Sequence, residues 1–168
     1  SAVLVCQLWR EVGEAPGLWT WLLLRATREN MAFAEEVLAS RRMREVRELR
    51  VEHCHMESQQ IVNAINRHIK LRRVTFNNCN LTPAQPEALA VALTALNNYE
   101  IQDSVLGKNQ LSILFTQMAE STTLRSICIC KTDLSSKNPR LLARALKNLR
   151  DVALSDTRLT RDQVEAVF

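Results

Sequence analysis

Three places in this chain gather side chains that could carry chemistry. The first is His53, Cys54 and His55, the densest run of metal-type ligands. Zinc needs donors converging on one ion at about 2.0–2.3 Å. Alternating residues of an extended segment point to opposite sides, so these three cannot meet at one ion, and His68 falls on a different layer. The second is Cys128 and Cys130, two apart in the run SICIC. An extended backbone puts both thiols on one face, opposite Ile127 and Ile129, where they are candidates for oxidation. Positions i and i+2 of one strand are not expected to close a disulfide with each other, and no cation or helix N-terminus makes either a nucleophile. The third is basic: Arg41, Arg42 and Arg44; Arg67, Lys70, Arg72 and Arg73; Arg144, Lys147 and Arg150. Such groups complement helix C-termini on a solvated face. Aligned along one edge, they would form a stripe for weak binding of RNA or an acidic protein. There is no Cys arranged with His and Asn, no serine elbow and, with three glycines in the chain, no Gly-rich phosphate loop. The expectation is a non-enzymatic protein with no catalytic residue, metal or cofactor.

The elements that hold these groups follow from composition and periodicity. The chain has 168 residues, 46% of them hydrophobic but only 5% aromatic, which describes one domain with a layered aliphatic core. The net charge of +4 fits an ordinary solvated surface, and with one Tyr and four Phe there is little to stack on bases. Nucleic acid is not the expected partner. Five cysteines, an odd number without framework spacing, point to a reducing intracellular compartment, cytoplasmic or nuclear. The apolar stretch from Leu18 to Leu24 is too short to span a bilayer, so no membrane is expected.

A repeat organises residues 46–168. Apolar residues fall at offsets 0, 3, 5 and 10 of each unit, with a thiol or hydroxyl at 8. The units read Val46, Leu49, Val51, Cys54, Met56; Leu71, Val74, Phe76, Cys79, Leu81; Leu96, Tyr99, Ile101, Ser104, Leu106; Leu124, Ile127, Ile129, Thr132, Leu134; and Leu149, Val152, Leu154, Thr157, Leu159. Unit starts at 46, 71, 96, 124 and 149 give periods of 25, 25, 28 and 25 residues. Offset 11 holds Glu57, Thr82, Gly107, Ser135 or Thr160, and offset 14 holds Gln60, Gln85, Gln110, Asn138 or Gln163. This is a helix start. Thr82 with Gln85, and Thr160 with Gln163, read as capping boxes, with Pro83 suited to the first helical position. Apolar residues then return at helical spacing, as in Leu142, Leu146 and Leu149.

These residues resemble leucine-rich repeats of the ribonuclease-inhibitor type. The resemblance implies an α/β solenoid, a horseshoe arc with a parallel sheet on its concave face and helices on its convex face, whose ladder residues (Cys54, Cys79, Ser104, Thr132, Thr157) bond to turn backbone. The family binds many unrelated proteins. The expected function is therefore protein-protein interaction on the concave face, through side chains at offsets 2, 4 and 6. In the first two units these are Glu48, Arg50, Glu52, Arg73, Thr75 and Asn77. The next two supply Asn98, Glu100, Gln102, Ser126, Cys128 and Cys130, and the last supplies Asp151, Ala153 and Ser155.

Carried backwards, the offsets place Trp19, Leu22, Leu24 and Thr27 in an atypical first repeat over 19–45, with Asn30 at its cap and a helical run from Met31 to Met43. Ahead of it, Val5, Cys6, Trp9, Arg10, Pro16, Leu18 and Trp19 resemble the second half of an F-box. The domain reading is thus a partial F-box-like helical cap at 1–18 and a leucine-rich-repeat domain at 19–168. That resemblance implies an alternative function, a substrate-receptor subunit of a cullin-type ubiquitin ligase, with Val5, Cys6, Trp9 and Trp19 facing a Skp adaptor. At the other end, the strand around Val152 and Leu154 would be a sheet edge beside a short helix ending at Phe168. Either further polypeptide covers that edge or two copies form a homodimer through it.

Overall fold

In each unit the apolar residues at offsets 3 and 5 alternate with mostly polar ones at 2, 4 and 6, the pattern of a strand with one buried face. The computed structural model describes residues 20–25, 31–54, 63, 65–67, 70–81, 85–87, 89–90, 96–135 and 137–167. Its strands are β1 (Trp21–Arg25), β2 (Glu48–Glu52), β3 (Arg73–Asn77), β4 (Asn98–Gln102), β5 (Ser126–Cys130) and β6 (Asp151–Ser155). Each occupies offsets 2 to 6 of its unit, including the atypical first. They pair in parallel as one open six-stranded sheet in chain order. Like offsets pair with like: Leu49 lies beside Val74, Val74 beside Tyr99, Tyr99 beside Ile127 and Ile127 beside Val152.

A backbone device repeats at the head of every strand. The carbonyl at offset 1 accepts two successive N–H groups of the next unit: Thr20 from Arg47 and Glu48, Arg47 from Arg72 and Arg73, Arg72 from Asn97 and Asn98, Asn97 from Arg125 and Ser126, and Arg125 from Arg150 and Asp151. Each unit is thereby pinned to its predecessor before the strand begins.

The helices are α1 (Met31–Ala39), α2 (Lys108–Glu120), α3 (Pro139–Leu146) and α4 (Arg161–Val167), with further helical residues at 65–67, 86–87 and 89–90. Successive helices α2, α3 and α4 pack on one another. Helix α2 buries Leu111, Leu114, Phe115 and Met118, an i, i+3, i+4, i+7 stripe. These join the offset 3 and 5 residues of the strands, except the exposed Val152, in one core, so the helices cover that face of the sheet and no described element covers the other. No helix among the described residues is long and apolar enough to cross a membrane.

Two local expectations are corrected. The helical run expected from Met31 to Met43 stops at Ala39 and resumes as a 3-10 turn, Arg41–Glu45. Three residues per turn put Met43 and Val46 on one side, and both are buried. The helix start read from Ser135 and Asn138 falls late, at Pro139. Ser135 N–H and Oγ–H both donate to Asp133 Oδ1, and Asn138 is itself the cap, its Oδ1 accepting from the Arg140 N–H at 2.9 Å. Pro139 is the reason, because it drives the preceding residue out of the helical region.

Tyr99 meets Phe76 edge-on, ring centroids 6.1 Å apart. Its hydroxyl is buried and has no hydrogen-bond partner among the described residues. Leaving a polar group buried and unpaired costs about 1–3 kcal/mol. Tyr99→Phe is therefore expected to raise stability by about 1 kcal/mol, read as a higher urea midpoint at unchanged m-value. A lower midpoint would mean the hydroxyl has a partner.

Candidate binding face

The offset 2, 4 and 6 residues expected on the concave face lie on the side of the sheet away from the helices, like offset beside like offset except at Gln102 and Cys130, which are not paired with each other. The two ends of this face differ in chemistry. At the β1 to β3 end the groups are charged and already engaged. Glu52 Oε2 accepts from Arg25 Nε at 3.1 Å and Oε1 from Arg50 Nε at 2.8 Å. The Arg25 hydrogen bond, against opposing desolvation and with help from Arg50, holds the Glu52 carboxyl below its ordinary value. Arg73 lies 3.7 Å from Glu48. Two of the expected contact residues are therefore supports: Glu52 is 9% exposed and Thr75 6%. Thr75 Oγ1–H and Gln102 Nε2–H both donate to Glu100 Oε2 at 3.3 Å, which fixes this half-buried carboxylate at mid-sheet.

At the β5 to β6 end the face carries small and soft groups. Cys128 and Cys130 are free thiols, half-buried, with sulfurs 3.5 Å apart. Burial, then the hydrogen bond with Cys130, pushes the Cys128 thiol up to about 11. Ser155 Oγ–H donates to Cys130 Sγ at 2.9 Å, while Asp151 and Ala153 are exposed.

The ladder column points inward. Cys79 Sγ–H donates to Val51 O at 3.4 Å, and Thr157 Oγ1–H does the same 3.2 Å from Ile129 O. Ser104 Oγ accepts from Cys79 N–H and donates to Gln102 O. Cys54 is fully buried while His53 is exposed, its Nδ1 2.9 Å from Asn78 Nδ2. His55 and His68 lie outside the described residues. No group of three or more potential metal ligands occurs among the described residues.

Three features escape the sequence reading. Offset 7 has positive φ in all five units: His53 (54°), Asn78 (52°), Asp103 (49°), Lys131 (55°) and Asp156 (51°). This left-handed turn after each strand aims the next residue into the core, and it brings Lys131 Nζ against Asp103 Oδ1. Asn and Asp at three of the five positions were the available signal. Secondly, the offset 14 amide has two tasks. Gln110 Oε1 accepts from Gly107 N–H at 2.7 Å and its Nε2 donates to Leu81 O, one unit back. Gln163 bonds Thr160 reciprocally, the expected capping box, and also donates to Leu134 O and Lys137 O at 2.7 Å. Lys137, 7% exposed, reaches back similarly to Lys108 O and Ser112 Oγ, and burial lowers its pKa. Thirdly, exposed arginines occupy offset 1 in four of the five units, Arg47, Arg72, Arg125 and Arg150, with Asn97 in the other.

Two of the basic residues singled out in the sequence pair with carboxylates. Arg73 stands on the open face and Lys70 pairs with Glu45 at 2.7 Å. Arg41 and Arg42 side chains lie outside the description, as do Val5, Cys6, Trp9, Trp19, Phe168 and the whole F-box-like segment 1–18. The edge strand β6 is exposed, Val152 to 36%, and Leu154 half-buried. Compared with protein-family models, curated proteins and solved structures, the chain gives no match.

Proposed function

We propose that this chain is a leucine-rich-repeat solenoid of the ribonuclease-inhibitor type that binds a protein partner on its concave sheet face and carries out no catalysis. One observation supports this above all: the side chains at offsets 2, 4 and 6 of β2 to β4 stand in register on a single face that no described element covers, with charges fixed by neighbours. Charges held in place before binding lose little entropy on docking and discriminate by complementarity. Six strands of five residues span about 24 by 16 Å. A standard interface covers about 800 Å² per partner, so the partner also reaches the rims, where the offset 7 residues and the offset 1 arginines stand.

The test reverses Arg50 and Glu100 together, Arg50→Glu with Glu100→Arg, after confirming unchanged circular dichroism. Proteins captured from the source cell by the unaltered chain are expected to fall at least 10-fold in quantitative mass spectrometry. Equal capture by the two forms removes the concave face as the site.

A further inference from the structure

Two groups on the open face have no part in its charge pattern, the thiols of Cys128 and Cys130. They lie on β5, an interior strand paired with β4 on one side and β6 on the other, so their backbone is held. Residues two apart on such a strand are about 6.6 Å apart at Cα, yet here the side chains converge until the sulfurs are 3.5 Å apart. The Ser155 hydroxyl, one strand over, fixes Cys130 Sγ from the side. Ala153, which pairs with Cys128, carries only a methyl group and is exposed, so the approach over the pair is open.

A disulfide fits this geometry poorly, because the Cα spacing sits at the far end of the range such bonds tolerate and the ladder resists its shortening. A bridging centre needs no such movement. Two sulfur bonds of about 2.3 Å meeting at a tetrahedral angle span about 3.8 Å, whereas a collinear arrangement spans about 4.6 Å. The observed separation belongs to the bent case.

We propose that Cys128 and Cys130 form a bidentate thiolate clamp for one soft, thiophilic centre held at a bent angle, a trivalent arsenical or a thiophilic divalent ion, with its other coordination positions open to solvent. Capture of an aryl arsenoxide breaks two S–H bonds and the As=O bond. It forms two As–S bonds and releases the oxygen with both protons as water, arsenic staying trivalent. Capture of a divalent ion forms two metal–sulfur bonds and gives both protons to buffer. The inference does not depend on partner binding.

The test uses the full chain, reduced with a phosphine, in two arms: phenylarsine oxide followed by intact mass, and Cd²⁺ followed by sulfur-to-metal charge-transfer absorbance. One equivalent is expected to survive excess monothiol and to be stripped by excess dithiol. Cys128→Ser and Cys130→Ser should each weaken retention about 100-fold or more, the loss of a chelate. Cys6→Ser should leave it unchanged. Retention in both arms supports the general clamp, and retention in one identifies which centre the site takes. Retention in neither arm, or equal retention by both serine variants, overturns the proposal.

Discussion

Gln110→Ala is expected to lower the unfolding free energy by about 3 kcal/mol, a large fraction of the stability of a domain this size. The side chain is 3% exposed and serves two backbone groups at once, the N–H that opens α2 and the Leu81 carbonyl of the preceding unit. Truncation strands both in a place water does not readily reach, at about 1–3 kcal/mol each, and leaves a void. Gln110→Glu should be nearly as costly, since it keeps the acceptor but turns the donor into a carboxylate facing a carbonyl. Asn109→Ala, on the exposed side of the same turn, should stay within about 0.5 kcal/mol. Urea midpoints at constant m-value measure all three. A loss under 1 kcal/mol at Gln110 would show that the amide is not what ties one unit to the next.

Alkaline pH is expected to have an effect of similar size. Desolvation, with a smaller contribution from Cys79, pushes the Cys54 thiol up to about 12. Burial likewise raises Cys79 and the Tyr99 phenol. The sign follows from proton uptake. Below the ordinary thiol range, folded and unfolded chains both keep the proton, and the stability from these sites is complete. As pH rises through 9 toward 12, the unfolded thiol ionises while the folded one does not, so the unfolded state gains. For Cys54 the loss approaches about 1.4 kcal/mol per pH unit once the unfolded thiol is ionised, and comes to about 2 kcal/mol between pH 9 and 11. Denaturation across pH 7 to 11 measures the slope, and Cys54→Ala should start lower at neutral pH yet fall less steeply. A flat profile in the unaltered chain would contradict the burial of these groups.

The strands were legible to the residue. Offsets 3 and 5 carry side chains that only a pleated, one-sided sheet can bury together, and the same rule extended to Trp21–Arg25, where the unit is otherwise irregular. Contacts that reach across units were not legible. The capping role of Gln163 shows in its spacing from Thr160, but its bonds to Leu134 and Lys137 depend on residues 29 and 26 positions away. The left-handed turn at offset 7 was masked where His53 and Lys131 stand in for Asn or Asp. On the open face, alternation assigned the side of each residue but not its employment. Whether Glu52 meets a partner or two neighbouring arginines is decided by side-chain rotamers, and so is the approach of the two thiols.

Strand pairing strictly in chain order also decides how the molecule yields to force. Tension on its two ends peels one boundary at a time, as a zipper opens, and never loads the whole sheet in shear. Each 25-residue unit that lets go releases about 85 Å of slack, and the 28-residue unit about 95 Å. The chain would lengthen in counted steps, and its extension at any moment would report how many units still hold.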